Sequence, residues 1–199
     1  MMTTTAITAA KKELRKEIAL LLKTVSTVSM SEQSARISEN VLANPAFATA
    51  KRVSVYVSTE GEVNTSAIIE RALSDNKLCF VPRFKPKGAD MEMVRVSSID
   101  EYHNLPIIMW GIRQPPVDQQ LENALDTGGL DLVILPGVAF TTDGWRLGHG
   151  RGYYDRFLTE HKRRFGRLPT TIGVGFREQM RPQVPTTDSD VRLDQVVHG

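Results

Sequence analysis

Only one of the 199 residues is cysteine, so no internal disulfide is available and a disulfide-stapled scaffold is excluded. That thiol, Cys79, sits in the apolar run Leu78-Cys79-Phe80-Val81 with no base or activating cation beside it, which suits a buried structural residue in a reducing compartment. No apolar run approaches the ~20 residues that a membrane helix needs. The formal net charge is only +2, and Lys162-Arg163-Arg164 is the single compact basic run. A nucleic-acid binder usually carries a basic stripe, whereas these three cations suit the C-terminal end of a helix. Histidine is scarce as well: His103 stands in a polar loop with no second ligand-type residue near it, which argues against a metal there. There is no internal repeat and no low-complexity segment. What remains is ordinary for a soluble globular chain, 41% hydrophobic and 24% charged, long enough for one sound core.

The first ten residues are rich in threonine and alanine and contain no acid, a composition similar to a transit peptide. Glu13 and Glu17 follow at once, so residues 1–10 are expected to be a disordered tail ahead of one domain spanning 11–199. Thr8 can cap a helix reaching about Thr24, with Leu14, Ile18, Leu21, Leu22 and Val25 on its apolar face. Lys11, Lys12 and Arg15 would then lie in the early turns, where the helix dipole favours acids. Lys11 and Arg15 share a face, which points to a nearby anion. A mixed-charge surface helix with Glu13 and Glu17 as partners accounts for the same spacing equally well.

Ser29-x-x-Glu32 predicts the start of a second helix that stops before Asn44-Pro45. Strands are predicted over 51–57, where Val53, Val55 and Val57 alternate, then over 78–81 closed by Pro82-Arg83, and over 91–96, 132–135, 170–176 and 191–197. Thr65 can cap the helix carrying Ile68, Ile69, Ala72 and Leu73. Strands alternating with helices predict a mostly parallel sheet covered on both faces. Ligands bind such sheets at the C-terminal strand ends. Glu62, in the loop after the first strand, falls there, although a solvated first-turn acid would look the same.

The densest signal is Leu135 to Leu158, LPGVAFTTDGWRLGHGRGYYDRFL. A buried strand ends at Pro136-Gly137, and a helix opens with Tyr153, Tyr154, Phe157 and Leu158 at helical spacing. Between them, Arg146-Leu147-Gly148-His149-Gly150-Arg151-Gly152 alternates three glycines with two flanking arginines. Glycines let backbone N–H groups converge, and a helix N-terminus follows. Strand, glycine loop and helix start together favour a bound phosphate.

Pro136-Gly137, Ala139-Phe140, Arg146-Leu147-Gly148, Gly150 and Gly152-Tyr153-Tyr154-Asp155 resemble the signature of the 5-formyltetrahydrofolate cyclo-ligase family. The resemblance extends from Lys11 to about Val196 and implies a three-layer α/β/α fold similar to the sugar-phosphate isomerase and CoA-transferase group. It implies a Mg²⁺- and ATP-dependent ring closure of 5-formyltetrahydrofolate, with or without a polyglutamate tail, to 5,10-methenyltetrahydrofolate, by a cytoplasmic monomer with a mitochondrial pool left open. ATP contacts are implied for Lys11, Lys12, Glu13, Leu14 and Arg15, and for Arg146, Leu147, Gly148, His149, Gly150, Arg151, Gly152, Tyr153 and Tyr154. Folate contacts are implied for Arg15, Val57, Glu62, Trp110, His149, Gly150, Arg151, Gly152 and Tyr153. Arg146 and Tyr154 are the implied catalytic groups, and Asp155 and Asp190 the implied metal ligands. Trp110-Gly111-Ile112 with Gln114-Pro115 resembles the family's loop over the folate. Two departures stand out: Asn64 replaces a usual acid, and Thr141 follows Phe140 where the family often has aspartate.

The implied chemistry suits these residue types. A formamide oxygen leaves poorly until a phosphoryl group is placed on it, after which N10 can close the ring and phosphate departs. Phosphoryl transfer needs positioning and charge neutralisation more than a protein nucleophile, so the lack of a Ser-His-Asp or Cys-His set is no obstacle. Two rivals remain: an isomerase or CoA-transferase on the same fold, and a folate- or nucleotide-binding module without turnover.

Overall fold

Thr3, rather than Thr8, starts the first helix: its side chain accepts the Ala6 N–H at 3.3 Å and caps α1 (Thr4–Leu22). Residues 4–10 are therefore helical, and Lys11, Lys12 and Arg15 sit in mid-helix, where the dipole has little bearing. This computed structural model describes residues 3–85, 91–108 and 111–199. On α1, Ile18 is fully buried, while Leu14 and Leu22 pack around it. The second helix, α2 (Thr27–Leu42), is capped by Ser26, which accepts the Ser29 N–H at 3.2 Å; the Ser29–Glu32 pattern thus lies inside its first turns. Asn44 caps the short α3 (Pro45–Thr49), with Pro45 in the first turn, where its missing N–H is no loss.

The sheet follows: β1 (Arg52–Val55), then α4 (Ser66–Ser74), β2 (Leu78–Phe84), β3 (Met91–Val96), α5 (Ile99–His103) and β4 (Leu132–Leu135). A small hairpin, β5 (Ala139–Phe140) with β6 (Arg146–Leu147), precedes α6 (Tyr153–Phe165), β7 (Thr170–Gly175) and β8 (Gln195–His198). The six-stranded order is β3-β2-β1-β4-β7-β8, parallel throughout except for β3. In β1 the residues Val53, Ser54 and Val55 are all buried, because a central parallel strand is covered on both faces. The alternation of Val53 and Val55 therefore separates two apolar layers rather than core from water. One holds Ile37, Val41 and Ile68 of α2 and α4; the other holds Phe157 and Leu158 of α6.

Two strands differ from expectation. β2 runs through Pro82 to Phe84, since β1 pairs with it only over Leu78–Phe80 and a proline beyond that removes no bond to β1. The vacated edge is taken by a side chain: Gln114 accepts the Phe84 N–H and donates to the Phe84 carbonyl, both at 3.0 Å. β8 begins only at Gln195, because Asp190 and Val191 are drawn into contacts with α1 and α6. The β5–β6 hairpin had no expectation behind it. Thr141 closes it by accepting the Trp145 N–H at 2.9 Å, with Gly144 at φ +98° in the turn. A side chain of that kind is what the position requires, and the neighbouring Asp143 is exposed on the surface beside Arg192.

Candidate active site

The loops after β1 and β4 meet at the C-terminal edge of the sheet. Between them lies a cavity of about 260 Å³ walled by Tyr56, Val57, Glu62, Phe84, Tyr153 and Tyr154. The Phe84 and Tyr153 rings stand 5.0 Å apart at 56°. Such a wall of flat apolar rings with one carboxylate suits a planar heterocycle bearing N–H donors. Phe84 was not foreseen, because Pro82 had been read as the end of its strand.

The floor of the cavity is Arg146. β6 delivers it, and its side chain is only 5% exposed. Its Nη1 donates to the Pro136 carbonyl at 3.3 Å and its Nη2 to Asp155 at 3.1 Å, with the guanidinium 5.6 Å from the Tyr154 ring centre. Its Nε is the one buried side-chain polar atom among the described residues without a partner. An unmade buried hydrogen bond costs about 1–3 kcal/mol, so this N–H calls for a catalytic role or for a partner such as water or a ligand. Gly148 must lack a Cβ here, which would come within 2.8 Å of Arg146 Nη1. Burial foremost, and Glu62 next, push the Tyr154 phenol well above its ordinary range, with Arg146 pulling it partly back. Tyr154 therefore stays protonated and can act as a donor, not a base.

Gly152, at φ +66°, is the N-cap of α6 and supplies no side-chain cap, so the first N–H groups of that helix remain available to an anion. On the far side of Gly152, Tyr153 and Asp155 opens a second, wider cleft of about 890 Å³, bordered also by Asp188, Asp190 and Arg156. Gly152, Tyr153 and Asp155 line both spaces.

The first helix closes the arrangement. Arg15 Nε donates to the Gly148 carbonyl at 2.8 Å, and Lys11 Nζ pairs with Asp190 at 2.5 Å. The anion inferred near Lys11 is thus a carboxylate of the chain itself. Leu14 packs with Ile18 beneath them, whereas Lys12 and Glu13 face solvent, Glu13 bonding to Lys16 at 2.9 Å. Burial would raise the Asp190 carboxyl, but Lys11 and the N–H and hydroxyl of Thr187 outweigh it and hold it below its usual value. Asp155 accepts from Arg146 on one oxygen and from the Val191 N–H, at 3.1 Å, on the other. Among the described residues no group of three or more His, Cys, Asp or Glu is arranged to hold a metal by itself. Magnesium takes one or two carboxylates and completes its shell with water and phosphate, and Asp155 with Asp190 on one cleft fits that donor set.

His149 and Arg151 sit on the exposed rim, His149 Nε2 3.6 Å from Glu62 Oε1. Trp110 lies outside the described residues; its neighbour Ile112 lines the cavity.

The sequence model of the 5-formyltetrahydrofolate cyclo-ligase family matches residues 7–199. A probable 5-formyltetrahydrofolate cyclo-ligase of Caenorhabditis elegans is 41% identical over 194 residues, covering 97% of this chain and 94% of its own. A mouse 5-formyltetrahydrofolate cyclo-ligase is 37% identical over 197 residues, covering 99% and 97%. The solved 5,10-methenyltetrahydrofolate synthetase of Aquifex aeolicus superposes with a TM-score of 0.75 at 30% identity, covering 94% of this chain and 89% of that one. With the sheet order, the buried arginine and the glycine loop in place, these matches make the chain a member of the 5-formyltetrahydrofolate cyclo-ligase family.

Proposed function

We propose that this protein closes the ring of 5-formyltetrahydrofolate to give 5,10-methenyltetrahydrofolate, consuming ATP. The observation that carries the reading is the single wall of Gly152, Tyr153 and Asp155 between an aromatic cavity and a charged cleft. The folate ring lies in the cavity, with Glu62 accepting from its N–H edge and Val57 against its face. The triphosphate lies in the cleft, with its γ-phosphate on the α6 N-terminus beside the glycine loop. Arg146 donates to the oxygen that gains charge as the γ-phosphoryl group passes to the formyl oxygen. Tyr154, kept protonated, donates beside it. N10 then attacks the activated carbon and phosphate leaves with that oxygen. Fixed donors in a site shielded from water are the largest contribution expected from protein to such a step.

Asp155 and Asp190 would hold magnesium, which when bound neutralises charge on the β- and γ-oxygens. Lys11 and Arg15 would contact the phosphates. Lys11 must then share its charge with Asp190 or exchange Asp190 for the nucleotide. In this reading the working unit is a monomer. The buried thiol of Cys79, with its pKa pushed up to about 12, is inert and fits a reducing, cytoplasmic setting. Mixing the protein with 5-formyltetrahydrofolate and Mg-ATP should raise methenyl absorbance with one ADP per product. No product with ATP, or equal product without it, would overturn the reading.

A further inference from the structure

The loop that carries Glu62 is held at both legs. On its far leg the buried Tyr56 hydroxyl donates to the Val63 carbonyl at 2.8 Å, and Thr65 donates back to the Tyr56 carbonyl at 2.6 Å. The Asn64 N–H adds a bond to Ser34 of α2 at 3.1 Å. On the near leg, Thr59-Glu60-Gly61-Glu62 is a tight turn closed by the Glu62 N–H on the Thr59 carbonyl at 3.2 Å. Gly61, third of the four, has φ +82°, the left-handed region that position i+2 of a type II turn uses.

The turn is then closed a second time, by side chains. The Thr59 N–H, at 2.9 Å, and the Thr59 hydroxyl, at 3.0 Å, both donate to one oxygen of Glu62, Oε2. The other oxygen, Oε1, is the one turned towards His149 across the cavity mouth. A glutamate on a surface loop normally samples many rotamers, and fixing such a side chain on binding costs conformational entropy. Here that ordering is already done in the free protein, by a neighbour three residues away.

We propose that Thr59 is a positioning residue for substrate: its hydroxyl pins Oε2 so that Oε1 is presented to the N–H edge of the bound ring. The proposal rests on the reading of Glu62 as a substrate contact. Thr59 lines the cavity but is not required to touch the reacting atoms. It acts by directing the carboxylate of Glu62.

The test compares the parent with Thr59→Val, Thr59→Ser, Glu62→Gln and the double variant Thr59→Val/Glu62→Gln. Titration of 5-formyltetrahydrofolate gives Kd, and initial rates give KM and kcat for both substrates. Valine keeps the shape and the N–H but removes the hydroxyl. Thr59→Val should weaken folate binding about five- to tenfold, the range expected for one hydrogen bond to a charged group felt indirectly. kcat, the KM for ATP and the melting temperature should stay near the parent, and Thr59→Ser should restore folate affinity. In the double variant the valine should add nothing to the loss from Glu62→Gln, since the residue it positions is already altered. Should Thr59→Val lower the melting temperature markedly, Thr59→Ala and its rescue by serine provide the same comparison. Folate affinity unchanged in Thr59→Val, or a full additive loss in the double variant, would overturn the role of Thr59 while leaving Glu62 in place. Folate affinity unchanged in Glu62→Gln would instead remove Glu62 from the site, and the proposal with it.

Discussion

The two spaces on either side of Asp155 are built from opposite materials. The aromatic cavity is small and walled by rings, and its Glu62 is tied to its own turn. The cleft beyond is more than three times larger and bordered by aspartates and glutamates, by Arg156 and Arg164, and by a helix N-terminus. A rigid planar ring gains from close apolar contact and a few fixed polar groups. A flexible, hydrated triphosphate instead needs charge and room for water and metal. The difference teaches where a buried arginine would serve the proposed reaction best. Arg146 lies beside the shared wall and lines the aromatic cavity, dry enough for its donors to act strongly.

That contrast can be broken most severely at the wall. Asp155→Asn removes the charge that faces both spaces and that holds the buried Arg146. Turnover should fall by roughly 10²-fold or more, since a preorganised donor loses its support. Stability should fall too, by about 2–3 kcal/mol, because a buried cation is left without its partner. Activity titrated against magnesium, with unfolding measured in parallel, checks both; a magnesium curve and a turnover like the parent's would reduce Asp155 to a structural acid.

A change on one side only should leave the other untouched. Arg15→Ala takes away a cation that also braces the Gly148 carbonyl. ATP affinity should drop by about 1.5–3 kcal/mol, as for loss of a charge-assisted bond. Folate affinity should move far less, and nucleotide and folate titrations of the same variant will show whether the division holds. Glu62→Gln should do the converse: folate binding weakens by about 1–2 kcal/mol, because a charged acceptor becomes neutral, and ATP binding stays near normal. A variant that weakens both ligands equally would mean that the two spaces act as one.

The smallest effect belongs to a group outside both spaces. His161 of α6 is buried, accepting the Leu130 N–H at 2.9 Å while its other ring nitrogen lies 3.0 Å from the Arg167 carbonyl. Burial, more than any neighbour, lowers its pKa below 6.5. The neutral ring is thus favoured in the folded state. Its share of stability is full above about pH 6.5 and is lost as pH falls through the lowered value. Thermal melts between pH 7.5 and 5 should show a decline that His161→Gln flattens, with neither KM changing at neutral pH.

Much of this was legible in the chain. The glycine loop, the strand before it and the helix after it are local features, written in residue types at short spacing. So were the parallel strands, because apolar runs alternating with helical patterns leave few topologies open. The start of α1 was read too late because Thr3 and Thr8 are equally good caps on paper; only the full turn of helix between them, seen in space, decides. β2 was cut short at Pro82 because the extent of β1 pairing is not a property of β2 itself.

The chain alone carries the chemistry on offer: a glycine loop before a helix start, buried strands, a carboxylate after β1, and cations on one face of α1. The tertiary structure alone decided who meets whom. Lys11 finds Asp190 and Arg15 finds Gly148 across more than 130 positions of chain, and Gln114 completes a strand edge that β1 leaves open. Arg146 is likewise left with one buried N–H and no partner. Spacing along a chain fixes which side chains share a face, but long-range pairs depend on how whole elements pack, and packing is a property of the assembled core rather than of any one segment.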